Sequence, residues 1–162
     1  SQAITLATFL GGLCAGALLA GRAQRTLLPK VRSPLLAYAV LEAGIGLWAL
    51  LLPTVADLAF GWFASAAQGS QPGSAGHMLA KLALAATLLL PLATAMGATL
   101  PALSYGIARA DVARSVGLVS RCYAVNAAGA AAGALLAGFW LIETFGLDLP
   151  LTLGAAVNLA VK

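Results

Sequence analysis

Charge is what this sequence has least of. Only 9% of its residues are Asp, Glu, Lys or Arg, against about 25% in an ordinary soluble domain. A globule so poor in charge has too little water-compatible surface to cover itself, so lipid must replace water around most of the chain. Acidic residues are scarcest of all: five, against nine Lys and Arg. They are scattered, which leaves no acidic cluster for a polycation and no plausible set of nucleophile, base and metal ligands. The single histidine, His77, has no Cys, His or carboxylate at ligand spacing and reads as a surface residue, so no metal site is expected. The two cysteines, Cys14 and Cys122, stand far apart without a CxxC. They read as small apolar residues in or beside helices. Nothing implies a cofactor. The net charge of +4 does not point to nucleic acid, because the basic residues sit in short loops between apolar runs and form no basic face.

What the chain does have is apolar length. Hydrophobic residues make up 61% of it, and the mean hydropathy is +0.95. The stretch that organises the rest is 82–101, LALAATLLLPLATAMGATLP, which carries no charge. As a helix it would reach about 30 Å, the thickness of a bilayer's hydrocarbon core. Pro91 and Gly97 are its expected kink points. In lipid they are tolerated, because neighbouring helices can satisfy the backbone groups that a proline frees.

Three further runs fit membrane helices. Residues 3–20 form the first, with a GxxxG at Gly12 and Gly16 that Ala20 continues. Small residues four apart let a second helix approach closely. No charged segment precedes this run and no polar chain follows it, so it is not a signal peptide. Pro34 opens the second helix, which is expected to end near Leu52, just before Pro53. Residues 122–142 form the next, with a second small face at Gly129, Gly133 and Gly138, filled in by alanines. A fifth, shorter run covers 149–161. The expected fold is therefore an all-α integral membrane protein, a bundle of about four to five transmembrane helices.

The longest connection, 54–81, has a pattern of its own. Val55, Leu58, Ala59, Trp62, Phe63 and Ala66 share one helical face, and Trp and Phe favour the headgroup level. This predicts one extracytoplasmic surface helix; a helix packed on the tops of the others is the alternative. Residues 68–76, QGSQPGSAG, are turn material.

Two polar residues lie within the apolar helices. Glu42 sits near the middle of the second. A carboxylate there is costly unless neutral, paired or in a watery cavity, which makes it a candidate site residue. A protonated Glu bonded to a neighbouring helix is the structural alternative. Asn126 must have its amide satisfied, by a helix contact or by a solute. Residues 44–49 fit G-x-G-x-x-A, but the pattern lies inside an apolar helix with no strand before it, so it is no dinucleotide fingerprint.

Charge also orients the chain. Arg22, Arg25, Lys30 and Arg32 fall in the loop 21–33, and Arg109, Arg114 and Arg121 in the loop 106–121. The connection 54–81 contributes only Lys81, and the last turn carries Glu143 and Asp148. By the positive-inside rule, loops 21–33 and 106–121 face the cytoplasm and 54–81 faces outward. Lys162 then falls toward the cytoplasmic side. The expected location is a bacterial-type inner membrane, crossed several times.

The chain also resembles a known family. Pro91 followed by Met96-Gly97-Ala98-Thr99-Leu100-Pro101 is similar to the MGATLP segment of membrane-embedded spermidine synthase-like proteins. Tyr123-Ala124-Val125-Asn126, then Gly129, Gly133, Ala137-Gly138-Phe139 and Phe145-Gly146-Leu147, resembles the YAVN segment that follows it there. Phe9-Leu10-Gly11-Gly12 with Gly16 and Gly21-Arg22, and Leu41-Glu42 with Gly44 and Gly46, resemble that family's first two helix motifs. The likeness covers nearly the whole chain in order. It implies a transporter-like helical domain, related to the major facilitator superfamily, fused ahead of a soluble aminopropyltransferase-like domain with a Rossmann-like fold. In true spermidine synthases that soluble domain binds decarboxylated S-adenosylmethionine on a glycine-rich loop. This sequence contains no such strand, loop and helix unit, so no catalytic residue carries over. The helix expected before Ala3 is missing too. The start at Ser1 and the end at Lys162, inside an apolar run, read as a piece of a longer chain.

Two functions follow as expectations. One is a membrane domain that anchors a synthase-like domain or packs as an accessory subunit against other transmembrane helices. The other is a transporter-type domain for a small solute, cationic amines included, with Glu42 in its path.

Overall fold

The computed structural model describes residues 2–26, 34–68, 71–110 and 112–160. They form α1 (Gln2–Thr26), α2 (Pro34–Ala67), α3 (Ala75–Ala110) and α4 (Val112–Leu136). From α4 the chain continues through a π-helical turn, Ala137–Leu141, into the short α5 (Ile142–Phe145), and then into α6 (Asp148–Ala160). No strand occurs among the described residues. Lys30, Arg32, Gly69, Ser70, Asp111 and Lys162, which figure in the charge and loop assignments, lie outside the described residues.

Local chemistry explains the element ends. Pro34 opens α2, where its missing N–H costs nothing. The Ser74 hydroxyl accepts the backbone N–H of His77 at 3.3 Å and caps α3. Gly146, at φ +72°, closes α5 in the left-handed region, which a side chain would strain.

Four helical stretches are long and apolar enough to cross a membrane: Gln2–Thr26, Leu36–Ala67, Ala75–Ala110 and Arg114–Phe145. The protein is thus an all-α, multi-pass membrane bundle. Its surface agrees with that environment. Large apolar side chains point outward, Phe139 at 74% exposure and Leu58 at 71%, while the buried apolar residues are alanines and one isoleucine, Ile45. A water-soluble core would be sorted the other way.

The helices run longer than their apolar stretches. The 34 residues of α2 reach about 51 Å at 1.5 Å each, well beyond about 30 Å of hydrocarbon. Residues 55–66, expected as a separate surface helix, are instead the last turns of α2, which passes through Pro53 without ending. Similarly, α3 passes through Pro91 and Pro101 to Ala110, and α4 begins at Val112. The segment 106–121 is therefore helical on both sides of residue 111. Hydropathy marks where a helix leaves lipid, and these helices continue past that point.

The tightest packing joins α1 to α3. Thr8, Gly12, Gly16 and Ala20, each one turn after the last, are the buried residues of α1. They face Ala93, Ala98, Ala102 and Gly106 of α3. A Cβ added at Gly12 would lie 2.6 Å from the Ala93 Cβ, one at Gly16 would overlap the Thr94 carbonyl, and one at Gly97 would overlap that of Leu13. Gly97 therefore serves close approach, beyond its expected part in a kink. Gly12 meets Ala93 and Gln24 meets Pro101, so the two helices are parallel. Their shared end gathers Arg22, Arg25 and Arg109, with Arg114 just beyond on α4.

Two side chains lock these helices onto backbone carbonyls of α3. Gln24 Nε2 donates to Pro101 O at 2.8 Å. Trp48 Nε1, on α2, donates to Leu88 O at 3.2 Å. Leu88 lies one residue past Thr87, whose carbonyl is the one Pro91 deprives of a backbone donor, so the indole bond ties α2 to α3 beside the proline without replacing the lost bond. Gly46 brings α2 against α6, and a Cβ there would sit 3.0 Å from Leu159 Cγ. The glycine pattern that fails as a dinucleotide fingerprint thus serves helix contact.

By contrast, α4 is almost bare. None of its membrane-spanning stretch is buried. Gly129, Gly133 and Gly138 meet nothing within 4 Å. The small face that reads most convincingly in sequence has no partner among the described residues.

Candidate functional site

The polar residues converge on one cavity of about 380 Å³ between α2, α3 and α4. Tyr38 and Glu42 reach it from α2, Thr99 from α3, and Arg121, Cys122 and Asn126 from α4. Leu100, Leu103 and Val125 supply its apolar wall. The two candidates read from the sequence, Glu42 and Asn126, share this space.

Helical spacing explains the arrangement. Tyr38 and Glu42 are four residues apart and lie on one face of α2. The Tyr38 phenol interacts with the Glu42 carboxylate and lies close to Cys122 across the gap. Cys122 and Asn126 repeat the same spacing on α4. Thr99 donates its hydroxyl to Met96 O at 2.7 Å.

The cavity lies nearer the start of α2 and of α4 than their ends. Glu42 is eight residues into α2, about 12 Å from its start, and Arg121 is nine into α4, about 13 Å from its start. Both starts lie at the end where α3 finishes. Glu42 stands near the middle of the expected helix 34–52, but α2 extends to Ala67, which moves Glu42 into its first third.

A second cavity, of about 650 Å³, lies between α1, α2 and α3 and is almost wholly apolar. Gly16, Pro91 and Thr94 line it. His77 packs its ring against Phe63, with centroids 5.8 Å apart, at the opposite end of α3 from the polar cavity. Among the described residues no three His, Cys, Asp or Glu side chains are grouped to hold a metal. Both cysteines are free thiols.

Tyr38, Thr99 and Arg121 complete the polar lining, and sequence reasoning did not single them out as site residues. Tyr38 had a legible signal, one turn before a buried carboxylate. Arg121 reads in sequence as a loop charge and is recognisable as a cavity residue only once α4 is known to start at Val112.

No protein-family model, curated protein or solved structure matches this chain.

Proposed function

We propose that this chain is a transporter-type membrane domain that receives a small polar solute in the α2–α3–α4 cavity. One observation carries the reading: a carboxylate, a guanidinium, an amide and a phenol from two helices face one space beside a third helix. Ionisable side chains inside a membrane bundle are expensive, and they collect where a substrate or ion passes. The parallel α1–α3 pair, locked by glycines, is the rigid wall, and the loosely held α4 is the element free to move against it. The arginine-rich end faces the cytoplasm under the positive-inside rule, and entry to the cavity from that side is part of this reading. A bacterial-type inner membrane suits that orientation.

Thermal denaturation in detergent against a panel of small polar metabolites tests this. At least one compound should raise the Tm of the natural protein and leave Glu42→Gln unmoved. If no compound does so, solute binding is rejected.

A second reading rests on a different observation, the bare small face of α4. There the chain is a packing or anchoring domain, with further transmembrane helices against Gly129 and Gly133. A synthase-like soluble domain in the same polypeptide, as the family resemblance implies, belongs to this reading.

A further inference from the structure

We infer that the polar cavity takes a zwitterion, a small molecule or headgroup that carries both an ammonium and an acid group. This rests on reading the cavity as a solute site and adds the ligand class to it.

Glu42 and Arg121 line the same cavity from different helices, at closely similar depths from the same end of the bundle. Their charges are opposite, yet they form no ion pair with each other, and Arg121 makes none with any described residue. The group that interacts with Glu42 is the neutral phenol of Tyr38. Two opposite charges that line one cavity without pairing leave two complementary contacts open to a ligand. A ligand carrying the complementary pair satisfies both at once. A cation alone would pair with Glu42 but press its charge on Arg121, and an anion alone would do the reverse. A neutral solute would leave both unpaired. Asn126, about a turn deeper than Arg121, and Thr99 add neutral hydrogen-bonding groups. The volume of about 380 Å³ lies near the lower end for ligand sites, which suits a compact molecule. Leu100, Leu103 and Val125 leave room for a short apolar remainder beside the charges.

Phosphoethanolamine and serine are suitable soluble zwitterions, with ethanolamine and inorganic phosphate as their single-charge counterparts. Phosphatidylethanolamine in phosphatidylglycerol nanodiscs presents the same chemistry on a lipid, in a host whose headgroup carries only the negative charge. Binding to the purified full chain is read by thermal shift and by calorimetry. A zwitterion should bind at least tenfold more tightly than either single-charge counterpart. Glu42→Gln and Arg121→Gln should each weaken it by about 30-fold, the scale of truncating one partner of a charge pair. Circular dichroism of both variants guards against unfolding. If ethanolamine binds as well as the zwitterions and Arg121→Gln has no effect, the zwitterion inference is wrong and the solute-site reading stands. If only the lipid binds, the zwitterion class is upheld and the transport reading fails. If none of these compounds or lipids binds, the zwitterion inference is overturned, while the metabolite panel decides the broader reading separately.

Discussion

Glu42 on α2 and Asn126 on α4 line one cavity, although the rest of α2, all of α3 and the first half of α4 separate them in the chain. Each is expensive to place in an apolar helix, and neither is explained by packing alone. Their meeting turns two isolated polar residues into a site.

The first prediction separates function from stability at Glu42. Glu42→Leu replaces a carboxylate in an apolar helix with an apolar side chain and should hold or raise thermal stability, by up to about 1 kcal/mol. It should also abolish solute binding. A loss of stability with no effect on any ligand would assign Glu42 to packing instead.

The α1–α3 seam should be intolerant of added atoms. Gly16→Ala and Gly97→Ala each drive a methyl group into a backbone carbonyl and should cost about 1–3 kcal/mol, the usual range for overpacking. Gly129→Ala meets nothing within 4 Å and should be neutral or slightly stabilising, because alanine is the better helix former. Unfolding in detergent followed by circular dichroism measures all three.

Gly133→Leu bears on the anchoring reading. The chain's own fold should be unaffected, since the site is open. If helices outside this chain pack there, the variant should fail to assemble with them in native membranes while still folding. Normal assembly on native gels would remove support for that packing.

Trp48 should tie α2 to α3 independently of Pro91. Trp48→Phe loses the hydrogen bond to Leu88 O and should cost about 1 kcal/mol. Pro91→Ala restores a donor to the Thr87 carbonyl and not to that of Leu88, so the same change should cost as much in that background. A smaller cost in a double-mutant cycle would show that the indole compensates for the proline.

Much of this architecture is legible in sequence because lipid imposes a simple rule. A span must be long, apolar and nearly uncharged, so the four spans can be read from hydropathy. Helix ends are less legible, since the same rule is silent once a helix leaves the bilayer. That is why residues 55–66 read as a separate helix and 106–121 as a loop. Gly12 and Gly16 carry a visible small face, but nothing local says that Ala93, Thr94 and Ala98 receive it. Gly129 and Gly133 show the reverse: an equally clear pattern that meets no partner among the described residues. The cavity is least legible, because it depends on how α2 and α4 are rotated about their axes. Only the cost of placing a carboxylate and an amide in apolar helices marks Glu42 and Asn126 in the sequence.

The central claim is that Cys122 and Glu42 share a cavity open to water at the arginine-rich end. The most direct measurement is alkylation of Cys122 by a membrane-impermeant maleimide. Cys14→Ala leaves Cys122 as the only thiol, since the chain has two cysteines. In sealed vesicles, the natural cavity should allow labelling when the arginine-rich end faces the reagent and not when it faces the lumen. Labelling should slow when Glu42→Leu makes the cavity less hospitable to water. If Cys122 reacts only after denaturation, from either side, the cavity is dry and the solute-site reading is contradicted.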